Sequence, residues 1–461
     1  MKMQDSIFRE YDIRGVVDRD FDSAFAYALG RAYAGLVKEQ SGKTTPKVAV
    51  GQDCRLSGPE LSGNLMRGLA DEGVQVVSTG VGPTPQLYYI VFADNTDGGI
   101  QVTGSHNPGD QNGFKMMVGK GTLSGSAIQD LKQRVKTLAA KPTATQAGEI
   151  VEIDARSRYL AELTERSRPH MGSRKLKVVV DGGNGVGGLV GPQLLRNLGC
   201  EVIELYTDPD GRFPNHHPDP TVLENIEEMI QIVRKEGADV GIAWDGDADR
   251  IGVVDENGDA IFGDLLLLVY GRQLLKEVSK PIIIGDVKCS ELLFSTLAKE
   301  GAQAVMWKTG HSLIKGKLKE LHAHLAGEMS GHMFFAHRYY GYDDAIHASA
   351  RLVEILSSSD KTLSELLSDV PTMHTTPEIR FDCPEEIKFK VAERAQSKFG
   401  EYKTSTLDGV RITFPDGWGL VRASNTQPVL VMRFEATSAA RLTEYQKLVT
   451  DRVQEIIAEL S

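Results

Sequence analysis

A strand-like run ending near an acid occurs three times in this chain, as KVAVGQD (47–53), KVVVDGG (177–183) and PIIIGDVK (281–288). Each copy continues through a helical stretch into a glycine-led second strand: EGVQVVSTG, LGCEVIELY and EGAQAVMWKTG. A further helix leads to a third strand, in GGIQVTGSHNP, ADVGIAWDGDADR and HAHLAGEMSGH. Strands alternating with helices imply βαβ units and a largely parallel sheet, and right-handed crossovers place the strand ends on one edge. The three unusual loops share one position, just after the third strand of their copy. Open α/β sheets bind ligands beyond the carboxyl ends of their strands, so three such domains can face one central cleft. From about residue 372 the pattern breaks into a smaller segment carrying RASNTQP, residues 422–428. The expectation is an α/β protein: three similar domains with mixed, largely parallel sheets (1–150, 151–257, 258–371) and a C-terminal α+β domain (372–461).

A length of 461 residues agrees, because it exceeds what one hydrophobic core supports. Net charge of −11 argues against nucleic acid or an anionic membrane as partner, yet leaves room for an anionic substrate where basic residues converge. The cysteines at 54, 200, 289 and 383 show neither metal-ligand nor disulfide spacing. The N-terminal MKMQDSIFREYDIRG has no apolar signal core, and the longest apolar run, Leu265 to Tyr270, is too short to cross a bilayer. A reduced, cytoplasmic protein is expected.

Each loop taken alone admits a bland reading. TGSHNP, residues 103–108, is built from turn formers, with Asn112, Gly113, Phe114 and Lys115 behind it. In WDGDADR, Asp245, Asp247 and Asp249 alternate after an apolar strand; a divalent cation relieves their repulsion, and oxygen-only ligands favour Mg²⁺ or Ca²⁺ over Zn²⁺. An EF-hand is the rival, with Glu256 at its twelfth position, but Arg250 stands where the sharp turn needs glycine and the flanks read as strands. GNGVGG (183–188) fits a dinucleotide fingerprint with Glu204 or Asp208 downstream; the other two copies lack it, which favours a tight strand-to-helix turn. GEMSGH puts Glu328, Ser330 and His332 on one loop, a composition suited to neighbouring sugar hydroxyls. Arg422, Ser424, Asn425 and Thr426 offer a guanidinium and small donors fitted to a phosphate dianion. A serine beside a lysine, a metal loop, a hydroxyl reader and a phosphate clamp together describe phosphoryl transfer on a sugar phosphate.

TGSHNP, DGDADR, GEMSGH and RASNTQP, in this order and spacing and with the early YDIRG (Tyr11 to Gly15), resemble the α-D-phosphohexomutase family over essentially the whole chain. Met329 favours the phosphomannomutase/phosphoglucomutase branch over the phosphoglucosamine branch, which usually has glutamine there. The resemblance implies that Ser105 carries a phosphoryl group and that Asp245, Asp247, Asp249 and the Ser105 phosphate hold Mg²⁺. It places Arg14, His106, Lys115 and Arg250 around the reacting oxygens, Lys115 as general acid/base. It also implies that Glu328 and Ser330 read the 3- and 4-hydroxyls, with Tyr11, Lys288, His311 and His332 nearby, and that Arg422, Ser424, Asn425 and Thr426 hold the non-reacting phosphate. The implied reaction exchanges the 1- and 6-phosphates of mannose or glucose through a hexose 1,6-bisphosphate, with glucose 1,6-bisphosphate as activator. Small-molecule hexose phosphates are then the partners, and a monomer or dimer is expected. A phosphoglucosamine mutase, a glucose-1,6-bisphosphate synthase, and a non-catalytic phosphosugar-binding protein are the alternatives. Two positions depart from the family pattern: Gly104 where alanine is frequent, and Ala248 where glycine is usual.

Overall fold

The computed structural model describes residues 1–138, 146–424 and 429–460. In the first unit the strand Lys47–Gln52 lies parallel to both Gln75–Val81 and Gly98–Val102. In the second, Lys177–Asp181 lies parallel to Glu201–Leu205 and Val240–Trp244. In the third, Ile282–Asp286 lies parallel to Gln303–Trp307 and Leu325–Gly327. The first strand of each triplet is thus central, and its Val/Ile run is buried because helices cover both faces.

After its third strand each unit turns back antiparallel: Gly98–Val102 onto Gln111–Val118, Val240–Trp244 onto Ile251–Val254, and Leu325–Gly327 onto Met333–Phe335. The three distinctive loops are these reversals, so all lie at carboxyl strand ends, as expected. Strands on both sides of Asp245–Arg250 exclude the EF-hand. The glycine run 183–188 is a tight turn into a single 3-10 turn, Val186–Leu189. It packs backbone to backbone on the acidic loop: Val186 N–H donates to Gly246 O at 3.1 Å, and a Cβ on Gly185 would lie 2.7 Å from that oxygen.

One apolar core runs through the three units. It links Leu87, Tyr88 and Ile90 of the helix Thr84–Ala93 with Val178, Val180 and Trp244 of the second sheet. It continues into Leu266, Leu267 and the helix Ala345–Ser357. Trp244 closes the seam by donating its indole N–H to Ser349 Oγ at 2.9 Å. The C-terminal unit is different in kind. Its sheet is antiparallel, with Val429–Ala436 between Gly417–Ala423 and Ile379–Asp382, and helices Lys388–Ser397 and Ala439–Leu460 cover it. Its core is separate, and a small cluster of Val287, Trp418 and Leu420 joins it to the third unit.

Candidate active site

Ser105 adopts φ 51°, a left-handed conformation that non-glycine residues hold only when their surroundings enforce it. Its N–H donates to Thr103 Oγ1 at 2.8 Å, and its hydroxyl donates to Asp245 Oδ2 at 3.0 Å. His106 Nδ1 lies 3.1 Å from the same hydroxyl oxygen. A loop of the first unit therefore meets the acidic loop of the second.

Asp245, Asp247 and Asp249 are fully buried and bring carboxylate oxygens within 4.8 Å of one another. Burial, with Asp247 and Asp249 beside it, pushes the Asp245 carboxyl well above the usual range. Asp249 moves the other way: burial opposes its charge, but Lys115 and His332 hold it ionised. Lys115 reaches across from the strand Gln111–Val118 to donate to Asp247 Oδ2 at 2.6 Å and to Asp249. Although burial disfavours its charge, the three aspartates raise the Lys115 pKa far above the ordinary value, so the ammonium keeps its proton. His106 is driven well below its ordinary pKa by burial and by Arg250 and Arg14, which makes it neutral near pH 7. Arg14 donates to Asn107 Oδ1 at 3.1 Å and to Asp12 Oδ2 at 2.5 Å, fixing it beside the serine loop.

The third unit joins through His332. Its Nε2 lies 3.1 Å from Asp249 Oδ1 and its Nδ1 2.6 Å from Glu328 Oε2. Burial works against the imidazolium, but Asp249 and Glu328 outweigh it and raise its pKa to about 9. Burial alone would raise Glu328; His332, Lys288 and the Gly310 N–H bring it down to about 2. His311 stacks on His332 with ring centres 5.7 Å apart, and its Nδ1 is 3.4 Å from Asp343 Oδ2. Tyr11 donates its hydroxyl to Thr309 O at 3.0 Å, its ring 6.0 Å from His311. Arg250 Nε is 3.3 Å from His332 Nε2. Ser330 is half-buried on the same loop as Glu328.

The fourth unit contributes at the rim. Arg422 donates to Asp408 Oδ2 at 3.0 Å, and that oxygen also accepts the Thr309 N–H at 3.1 Å. Lys288 donates to Glu378 Oε2 at 3.1 Å. Ser424 is buried, its N–H donating to Val429 O at 3.0 Å. Asn425 and Thr426 lie outside the described residues.

Several residues of this centre carried no signal in the motifs. Thr84, at the start of its helix, donates its hydroxyl to Asp247 Oδ2 at 2.5 Å and its N–H to Asp247 O at 2.9 Å. Asp343, from GYDDA, accepts from Lys315 at 2.8 Å beside His311. Asp286 accepts from Thr309 Oγ1 at 2.8 Å and from the Met329 N–H at 3.3 Å. Asp286 ends a strand of the repeat, so the recurring acid was the clue; Thr84 and Asp343 offered none.

Fold and centre together are those of a multidomain α/β enzyme with a buried, oxygen-rich acidic site. Models for phosphoglucomutase/phosphomannomutase alpha/beta/alpha domains I, II and III match residues 5–142, 157–258 and 262–373, and the C-terminal domain model matches 378–452. The phosphomannomutase/phosphoglucomutase of Pseudomonas aeruginosa strain PAO1 is 45% identical over 457 residues, 99% of this chain and 97% of that protein. A Neisseria gonorrhoeae phosphoglucomutase is 42% identical over 445 residues, 95% of each chain. The crystal structure of a phosphoglucomutase/phosphomannomutase family protein from Burkholderia thailandensis matches with TM-score 0.89 and 41% identity, covering 99% of this chain and 98% of that one. The chain belongs to the phosphoglucomutase/phosphomannomutase family.

Proposed function

We propose that this enzyme, a hexose-phosphate mutase, moves a phosphoryl group between the 1- and 6-positions of glucose and mannose phosphates by way of Ser105 and a hexose 1,6-bisphosphate. The observation that carries this reading is the junction of Ser105 Oγ with Asp245 at 3.0 Å, inside an acidic trio that Lys115 also enters. In the forward half-reaction the Ser105 O–P bond breaks as a bond forms from phosphorus to the sugar hydroxyl oxygen, and the net proton passes from that hydroxyl to the departing Ser105 Oγ, which becomes a serine hydroxyl again. In the second half the other phosphate of the bisphosphate returns to Ser105.

The trio fits a hard divalent cation, and Mg²⁺ is the ion proposed. Its oxygens converge, and Asp247 Oδ1 is buried without a hydrogen-bond partner among the described residues. Bound there, such an ion would neutralise charge on the transferring phosphate. The transition state of phosphoryl transfer is loose, so the protein contributes mainly position and charge. Arg14, Lys115 and Arg250 supply positive charge; Lys115, firmly protonated, is suited to giving a proton and not to taking one. The buried Glu328 carboxylate, with Ser330 on its loop, suits the 3- and 4-hydroxyls, which glucose and mannose share. Arg422 and Ser424, with Asn425 and Thr426 by sequence, would hold the distal phosphate. Small-molecule hexose phosphates are accordingly the partners, and no helix among the described residues is long and apolar enough to cross a membrane.

Ser105→Ala, assayed after priming with glucose 1,6-bisphosphate, should lose turnover by at least about a thousandfold while still binding glucose 1-phosphate. Parallel assays with glucose, mannose, glucosamine and galactose phosphates should show use of the first two and poor use of galactose. Equal efficiency with galactose would remove Glu328 and Ser330 from hydroxyl reading, and a strict need for an external phosphoryl donor would replace the mutase with a bisphosphate synthase.

A further inference from the structure

The serine loop is held from beneath by a side chain that belongs to no recognised part of the site. Arg55 follows the first strand of the first unit, in GQDCRLSG, and its side chain is wholly buried. Its guanidinium donates to Ser105 O at 2.8 Å and Gln111 O at 2.8 Å, and to the carbonyls of Asn107 and Pro108. Four carbonyls of one short loop thus turn inward onto a single cation. Asp53 anchors the other side, accepting Arg55 Nε at 3.1 Å and Arg55 N–H at 2.9 Å. The same carboxylate accepts the Thr103 hydroxyl at 2.7 Å and the Gly104 N–H at 3.2 Å, and Thr103 Oγ1 accepts the Ser105 N–H.

Two close approaches make room for this arrangement. A Cβ on Gly104 would lie 2.5 Å from Arg55 Cζ, so the glycine lets the guanidinium lie flat against the loop backbone. A Cβ on Gly246 would lie 2.4 Å from Ser105 O, so that carbonyl is confined between Arg55 and the acidic loop. The second unit covers the arginine with the Phe213 ring, 5.1 Å from Cζ.

We propose that Arg55 is the positioning residue of the serine loop: by drawing four loop carbonyls inward it holds Ser105 left-handed, with its hydroxyl turned outward onto Asp245. The functional consequence rests on the reading of Ser105 as phosphoryl carrier; the structural consequence does not. An isolated left-handed serine returns to negative φ when its restraints go. That rotation swings Oγ off its line to the acidic trio, and a misplacement of about 1 Å costs a transfer step about 100-fold. Arg55 touches no reacting atom, so the loss falls on kcat and leaves KM nearly unchanged.

The test uses full-length Arg55→Ala and Arg55→Lys, each with circular dichroism to check folding, beside Ser105→Ala. For Arg55→Ala, kcat with glucose 1-phosphate should fall about 100-fold with KM within about threefold of wild type. Amide hydrogen exchange should quicken selectively across residues 103–111. Guanidinium chloride at about 50 mM should restore part of kcat and slow that exchange by refilling the buried site, and urea, uncharged but of the same shape, should do neither. Should Arg55→Ala fail to fold, Arg55→Lys decides: a lysine keeps the charge but cannot reach four carbonyls, so kcat and exchange should shift in the same sense. Near-wild-type kcat in a folded variant, or a loss of kcat without quickened exchange in 103–111, overturns the proposal. Substantial turnover by Ser105→Ala would instead overturn the carrier reading, and the exchange data would still judge Arg55.

Discussion

The first three units and the fourth solve different mechanical problems. One apolar core joins units one to three, the first adding a cluster of its own around Val48, Ile100 and Phe114. Ion pairs and hydrogen bonds cross unit boundaries at their centre: Ser105 with Asp245, Lys115 and Thr84 with Asp247, His332 with Asp249. The fourth unit has its own core and meets the rest through polar bridges around Trp418. Arg411 stacks on that ring at 3.8 Å and donates to the carbonyls of Val287, at 2.6 Å, and Cys289, at 2.8 Å. Phosphoryl transfer needs oxygens fixed to a fraction of an ångström, which dense packing provides. In the proposed reaction a bisphosphate would turn end for end and would need one wall that can withdraw, and a separately cored unit joined by polar bridges suits that task.

Breaking the rigid side should have the largest effect. Asp247→Asn removes a charge that Lys115, Thr84 and the proposed cation share, and turnover should fall by about a thousandfold with weakened Mg²⁺ binding by calorimetry. Turnover near wild type would mean that the trio does not carry the chemistry. At the junction with the fourth unit, Trp418→Ala deletes the apolar pin between units and should destabilise the fourth unit by about 3–5 kcal/mol. Calorimetric scans of that variant should resolve an early transition ahead of the main one; a single shared transition would mean that the fourth unit is not separately cored.

A smaller effect sharpens the electrostatics of the same seam. Lys288 beside Glu378 outweighs burial and holds that carboxyl at about 2, against an ordinary 4.5. A depressed carboxylate stabilises the fold fully above its unfolded value, and that contribution fades as pH falls from 4.5 toward 2. Glu378→Gln should therefore flatten the acid limb of stability in this window. An unchanged acid limb would count against the pair as a bridge. Smallest of all, Ala248 sits at φ 58° where the family pattern has glycine. Ala248→Gly should change stability by less than about 0.5 kcal/mol, because left-handed relief is offset by the entropy cost of glycine and the loss of a buried core methyl, with the midpoint of thermal unfolding as readout.

Much of this centre was legible because its parts are local in sequence. Asp245, Asp247 and Asp249 alternate within one turn, and the repeat itself put that turn at the carboxyl edge beside the serine loop. The acids ending each first strand were visible too, though not their tasks: Asp53 braces Arg55, and Asp286 takes up Thr309 and the Met329 N–H. Thr84, Asp343 and Arg55 stayed silent, because a threonine before a proline, one acid of a pair and an arginine in a loop are ordinary residues. Their meaning lies in partners far along the chain.

What the sequence determined alone was therefore periodic and short-range: three βαβ units, a distinct fourth segment, and the chemistry each loop carries. Hydrophobic spacing and turn chemistry act over a few residues, so they are written where they act. Tertiary structure alone decided which charges meet and at what pKa: an ammonium locked by two aspartates, an imidazole raised to about 9, four carbonyls gathered on one arginine. Those outcomes depend on burial and on distances set by packing within and between units, and both come into being only when the chain folds.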